Sequence, residues 1–427
     1  MKAYQELSAQ ELQVEQECLY QGFLEFKARG LKLNMARGKP SSEQLDLSMP
    51  ILDAINSFQA MNDSEGTDTR NYGGLTGIKE ARELMAQIME VPASNTIVLG
   101  NSSLNIMYDT VARSMTNGVM GSTPWCKLDK VRFLCPAPGY DRHFAVTENF
   151  GIELITIPMT SEGPDMDLVT QYVENDDSVK GIWCVPKYSN PQGITYSEET
   201  VRRFAALEPA AADFRIYWDN AYAVHDFVEP GDVLLSLKEA CDAAGNPDIW
   251  YMFASTSKIT FAGSGISALA SSQSNLAEIT KQMAFQTIGP DKINQLRHVA
   301  FLRDIDGVRA HMKKQAALLA PRFSTVLSIL DEQLGDLGVG EWTHPKGGYF
   351  ISFDGLANTA KRTVALAKEA GVTLTGAGAT YPYGNDPLDR NIRIAPTYPS
   401  VDELAIACQL FTICARIAAT EALLAQQ

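Results

Sequence analysis

The chain has 427 residues, 45% of them hydrophobic, with 36 Lys and Arg set against 51 Asp and Glu for a formal net charge of −15. That length and apolar content support two packed domains around a large core and exclude a disordered polymer. The acidic balance, without clustered Lys and Arg, argues against a nucleic-acid partner, since phosphate-backbone binding draws its affinity from such clusters. In chain order, residues 9–29 are charged and helix-prone, and 31–47 are loop-like, rich in Gly, Pro, Ser and Lys. From residue 71 onward, apolar strand candidates at 96–100, 131–135, 152–158, 181–185, 215–219, 250–254 and 266–271 alternate with helical stretches such as 75–89 and 197–207. This alternation predicts an α/β fold with a large, doubly wound, mostly parallel seven-stranded sheet. After a helical connection at 304–330 come Gly348-Tyr-Phe-Ile-Ser-Phe353, a helix at 359–370, strands at 372–375 and 391–395, and a terminal helix at 401–424, which together read as a smaller α+β unit.

Several strand candidates end in groups with chemistry. The run 249–253 leads into Ser255-Thr-Ser257-Lys258 and the small-residue segment Phe261-Ala-Gly-Ser-Gly265. A lysine at the end of a buried strand, among hydroxyls and glycines, suits Schiff-base chemistry on a phosphorylated carbonyl cofactor. Phe214-Arg-Ile-Tyr-Trp-Asp219 ends in a carboxylate, with the Tyr222 phenol just beyond, and the strand at 181–185 runs into Asn190-Pro-Gln-Gly193. In open α/β sheets ligands sit beyond the carboxyl ends of the strands, so these segments are expected to meet. Gly100-Asn101-Ser102-Ser103 follows a strand and opens a helix, offering amides and hydroxyls to an anion.

The ordered set Asn190-Pro-x-Gly193, Asp219-x-Ala-Tyr222 and Ser255-x-Ser257-Lys258, with Tyr72-Gly-Gly-Leu-Thr-Gly77 upstream and Asn391-Ile-Arg393 downstream, resembles the fold-type I, pyridoxal-phosphate-dependent aminotransferases of the aspartate aminotransferase class. More narrowly, Asn34-Met-Ala-Arg-Gly-Lys-Pro40 and Thr260-Phe-Ala-Gly-Ser-Gly265 resemble the divergent stand-alone aminotransferases of the MocR-like branch. The resemblance implies an arm at 1–60 that joins the small domain, a cofactor-binding domain at 61–305, a small domain at 306–427, and a homodimer with shared active sites.

It also implies roles. Lys258 would hold pyridoxal 5'-phosphate as a Schiff base and, once freed, move a proton. Asp219 would pair with the pyridinium nitrogen, with His143 behind it, and Tyr222 and Asn190 would donate to the ring oxygen. Tyr140 would stack on the ring. Asn101, Ser102, Ser103, Ser255, Ser257 and Tyr72 of the partner subunit would hold the phosphate. Arg393 would grip the substrate α-carboxylate as a bidentate fork, with Asn190 and Gly38 alongside, and Arg37 and Lys39 are candidates for a second carboxylate. No metal site is expected. The family's arginine about eight residues after the lysine is missing: 259–266 contain no base, and the loop is one residue short.

Gly263-Ser-Gly265-Ile-Ser-Ala268 fits a dinucleotide fingerprint by letter, but it runs into a strand instead of opening a helix, which rejects that reading. The acidic start leaves no room for the basic helix-turn-helix of a transcriptional sensor, while a same-fold β-lyase remains an alternative because fold does not fix reaction. Seven scattered cysteines (Cys18, Cys126, Cys135, Cys184, Cys241, Cys408, Cys414) without a Cys-x-x-Cys pair read as reduced thiols. With no secretion signal and no run of about eighteen apolar residues, the expectation is a cytoplasmic enzyme, off the membrane. It would move an amino group from aspartate, or else alanine, an aromatic amino acid or kynurenine, to 2-oxoglutarate.

Overall fold

The computed structural model describes residues 2–426. Its strands, in chain order, are β1 (Leu33–Asn34), β2 (Thr96–Leu99), β3 (Arg132–Ala137), β4 (Glu153–Thr160), β5 (Gly163–Pro164), β6 (Val179–Cys184), β7 (Arg215–Asp219), β8 (Trp250–Ser255), β9 (Ser267–Ser271), β10 (Gly340–Trp342), β11 (Ile351–Gly355), β12 (Val372–Thr373) and β13 (Asn391–Ile394). The main sheet has the order β2-β9-β8-β7-β6-β3-β4-β5. Its centre, from β8 to β4, is parallel, and β9, β2 and β5 join antiparallel. The sheet thus has eight strands where the sequence predicts seven. The extra one, Gly163–Pro164, is two residues long and sits at the edge, the place where proline's missing N–H breaks no ladder.

Helices cover both faces, so the central strands read as near-continuous apolar runs, and every residue of β6 and β7 is buried. Alternate residues divide between two cores: Leu134, Ile182, Ile216, Trp218 and Met252 face one, and Phe133, Trp183, Tyr217, Tyr251 and Phe253 face the other. The charge inside β6 is neutralised where it stands, Lys180 Nζ lying 2.7 Å from Asp213.

A third core joins the arm helix Ala9–Ala28, through Leu12, Leu19 and Phe23, to the antiparallel sheet β10-β11-β13 and the terminal helix Val401–Leu424. That terminal helix is long and apolar enough to cross a membrane by composition, with mean hydropathy 1.4, but 67% of the stretch is buried in this core. The 31–47 segment is less irregular than its composition predicts. β1 pairs in parallel with β12, and Ser42–Asp46 forms a short helix whose start is fixed by a reciprocal Ser41–Gln44 capping box. The long helix Ile305–Leu334 spans the two halves, and its Arg322 holds Glu43 at 2.6 Å.

Candidate active site

Because β3, β6, β7 and β8 run parallel, their carboxyl ends open on one edge of the sheet, and the segments following each strand meet there. β7 ends in Asp219, which is 3% exposed. Its Oδ2 accepts from His143 Nε2 at 2.9 Å, while Oδ1 is buried with no hydrogen-bond partner. His143, in the helix Asp141–Asn149, lies flat on Trp183 of β6, ring centroids 4.6 Å apart at 14°, and meets the Tyr140 ring edge-on at 4.9 Å. One carboxylate oxygen is therefore locked in place and the other is aimed without a donor, an arrangement that costs a few kcal/mol until a ligand N–H fills it.

Lys258 follows β8 in a turn. Its Nζ lies 4.8 Å from the Tyr222 ring centroid and 5.8 Å from that of Tyr349. Desolvation lowers the pKa of this amine; the charge of Asp219 opposes the shift and that of Arg393 adds to it. Burial, helped by neighbouring Tyr140 and Asp219, holds the Tyr222 phenol protonated, well above its usual range, and the Tyr140 phenol is pushed up to about 12 for the same leading reason. Both are donors at neutral pH.

Arg393 in β13 is 8% exposed. Its Nη1 donates to Asp141 Oδ1 at 2.8 Å and to Asn190 Oδ1 at 3.3 Å, the Phe350 ring lies 4.8 Å from the guanidinium carbon, and Nε is buried without a partner. On the other side, Ser257 Oγ donates to the Asn101 carbonyl at 2.9 Å and Ser267 Oγ to that of Gly100 at 2.6 Å, which ties the lysine turn to the start of the helix Ser103–Asn117. Ser102, the N-cap there, makes no side-chain capping bond, so its hydroxyl is available. Ser255 ends β8 and is partly exposed.

The aspartate amino-transferase family model matches residues 7–427. The chain belongs to that family. An aspartate aminotransferase of Corynebacterium glutamicum is 46% identical over 418 residues, spanning 98% of this chain and 96% of its own. A Mycolicibacterium smegmatis protein, provisionally named an aminotransferase, is 50% identical over 428 residues and 99% of each chain. The solved structure of a C. glutamicum aspartate transaminase superposes with a TM-score of 0.96 at 45% identity, over 99% of both chains. Thermus thermophilus α-aminoadipate aminotransferase, 19% identical with a TM-score of 0.70, shares the fold. The protein is accordingly a fold-type I aminotransferase, an enzyme that exchanges an amino group between an amino acid and a 2-oxo acid.

In this aminotransferase, Lys258, Asp219, Tyr222, Tyr140, His143, Asn190 and Arg393 share one cluster of direct contacts and mutual fields, and Asn101, Ser102, Ser103 and Ser257 border it. Three expected groups stand apart. Tyr72 is 82% exposed, in a loop with Gly73 and Gly74 at positive φ, and Arg37 is exposed in the arm loop. Lys39 is exposed too, its ammonium 4.0 Å from the Tyr398 ring centroid.

Gly38 is placed by space: a β-carbon there would lie 2.2 Å from Phe350 Cζ. Gly38→Ala should therefore push Phe350 off Arg393 and destabilise the fold by about 1–3 kcal/mol, read as a lowered melting temperature; an unchanged melt would contradict this packing.

Sequence reasoning passed over Asp141, Phe350, Tyr349 and His225. His225 is buried between the Tyr222 and Tyr349 rings, at 5.5 and 5.8 Å. Burial, with the nearby Lys258 charge, pushes its pKa down to about 3, so it is neutral; the Lys258 backbone is close, yet neither ring nitrogen reaches a partner in good hydrogen-bond geometry. The Gly347-Gly348 pair ahead of Tyr349 was the available signal, since a β-carbon on Gly347 would strike Tyr188 and the His225 carbonyl.

Proposed function

We propose that the enzyme is a homodimeric aspartate transaminase, with 2-oxoglutarate as acceptor and pyridoxal 5'-phosphate on Lys258. One observation carries the cofactor reading: Asp219 Oδ1, buried and unpartnered beside a locked Oδ2, fits a protonated ring nitrogen. The fold neighbour from T. thermophilus, solved with N-(5'-phosphopyridoxyl)-L-leucine, supports the same group. Aspartate as donor is supported by the C. glutamicum relatives.

When bound, the cofactor supplies an electron sink for the substrate α-carbon. The protein does the rest. Asp219 would hold the ring nitrogen in its protonated form, with His143 orienting Asp219. Tyr140 would stack on the ring, and Tyr222 and Asn190 would donate to the ring oxygen. Arg393 takes the α-carboxylate through the guanidinium edge that Asp141 leaves free, which orients the α-C–H bond. Lys258 Nζ, held towards its neutral form by burial, is the base that moves the α-proton.

The phosphate falls to Asn101, Ser102, Ser103, Ser255 and Ser257, with Tyr72 of the partner subunit. Exposure of Tyr72 supports its reaching outward. Residues 61–305 form the cofactor-binding domain in this reading, and 1–60 with 306–427 the smaller one, which the shared core of arm helix, β11, β13 and terminal helix supports. All seven cysteines are free, five of them buried, which suits a cytoplasmic enzyme.

A donor panel tests the substrate reading. Aspartate with 2-oxoglutarate should yield oxaloacetate and glutamate at a higher kcat/KM than alanine, kynurenine or an aromatic donor; release of ammonia and pyruvate without an acceptor would mark a lyase. Arg37→Ala should weaken aspartate and glutamate about tenfold, as for one partly solvated charge pair, and alanine little. Equal losses for all three would remove Arg37 from the side-chain pocket.

A further inference from the structure

The stretch after Lys258 lacks the basic residue that its resemblance calls for, and the structure supplies a steric reason. A β-carbon on Gly265 would lie 2.9 Å from Thr256 Oγ1, 3.2 Å from Ser257 N and 3.3 Å from the Phe261 carbonyl. Gly265 is packed onto the lysine turn, so a side chain there would have to displace the buried Thr256 hydroxyl.

A cation reaches the same loop from another element. Arg297, on the helix Lys292–Leu302, donates through Nη2 to Ser264 Oγ at 2.8 Å and to Asn294 Oδ1 at 2.5 Å. Its Nε is buried with no partner, and it forms no carboxylate ion pair among the described residues. The helix is pinned to both sides of the phosphate cradle. Asn294 Nδ2 donates to the Ser264 and Gly265 carbonyls at 3.3 and 2.8 Å, His298 Nε2 lies 3.0 Å from Thr260 Oγ1, and Gln295 Nε2 donates to the carbonyl of Val98, in the strand that leads to Asn101 and Ser102. The neighbouring cation Lys292 is already committed, its Nζ bonded to the Asn71 and Gly73 carbonyls at 2.7 and 2.8 Å.

We infer that Arg297 is the cation that balances the cofactor phosphate, reaching the glycine loop from the helix Lys292–Leu302 where Gly265 leaves no ready space for an arginine of the loop's own. The inference rests on the pyridoxal phosphate reading above. Its chemistry is that of a guanidinium facing a phosphate dianion across hydroxyls and amides, where the unpartnered Nε supplies a donor.

The test is titration of the apoenzyme with pyridoxal 5'-phosphate and, separately, with unphosphorylated pyridoxal, followed by absorbance, after circular dichroism and a melt establish that each variant is folded. Arg297→Ala should weaken pyridoxal phosphate about 10- to 100-fold, the range for losing a charge-assisted hydrogen bond to a buried anion, and leave pyridoxal within about twofold. Arg297→Lys should recover most of the loss. Ser264→Ala, which cuts the tether and keeps the charge, should give a smaller loss of the same selectivity, and it serves if the alanine variant does not fold. Equal losses for both vitamers, or unchanged pyridoxal phosphate affinity, would overturn the role of Arg297. Failure of the wild-type protein to bind either vitamer would instead sink the cofactor reading.

Discussion

Lys258→Ala is expected to lower aspartate transamination by on the order of 10⁴-fold or more, because it removes both the covalent anchor and the base, and general acid–base catalysis alone contributes about 10²–10⁴. Lys258→Arg should be as inactive: the charge is kept, but a guanidinium does not deprotonate in a protein. The direction of the pKa shift sharpens the expectation. Burial disfavours the ammonium form, so the neutral amine persists below the ordinary lysine range, and a small amine-reactive reagent near neutral pH should label Lys258 of the apoenzyme ahead of exposed lysines. A Lys258→Ala variant that keeps more than about 1% of wild-type kcat/KM would remove the lysine from the chemistry.

Asp219→Asn is expected to cost about 10²–10⁴-fold in kcat/KM, since breaking one side of a buried charge pair costs about 3–5 kcal/mol. The substitution keeps the shape and a hydrogen-bonding side chain toward His143 while removing the negative charge. His143→Ala should cost only about 10- to 100-fold, because that ring orients the carboxylate and does not itself meet the ring nitrogen. The ranking discriminates: if the histidine variant proves the worse of the two, the acid is structural and the catalytic partner lies elsewhere. Both variants should still bind pyridoxal phosphate, so absorbance separates lost chemistry from lost cofactor.

The central sheet and most of the residues that cluster in the candidate site were legible because the two share a cause. Parallel strands covered on both faces read as near-continuous apolar runs, so the polar residue that ends such a run, such as Asp219 after Ile216–Trp218, stands out against it. What stayed hidden is short or distant. β1 and β5 have two residues each, too few for any period to register, and the Ser42–Asp46 helix was masked by the Gly, Pro and Ser around it although its Ser41–Gln44 box was in view. Asp141 meets Arg393 across 252 residues of sequence, and Phe350 meets Gly38 only through the fold. Tyr72 and Arg37 illustrate the converse, since family motifs drew attention to them while a single chain leaves both exposed. The missing arginine could be noticed in sequence as an absence, but Arg297 could not be found there, because its relation to Ser264, 33 residues away, depends on how the helix Lys292–Leu302 folds back onto the lysine loop.

The most direct test is borohydride reduction of the purified enzyme reconstituted with pyridoxal 5'-phosphate, followed by peptide mapping. The expected result is one phosphopyridoxyl group per chain, on the peptide containing Lys258, with aspartate added before the reductant preventing the label and 2-oxoglutarate restoring it. Label on a different lysine, or a protein that takes up no cofactor, would contradict the assignment of this site.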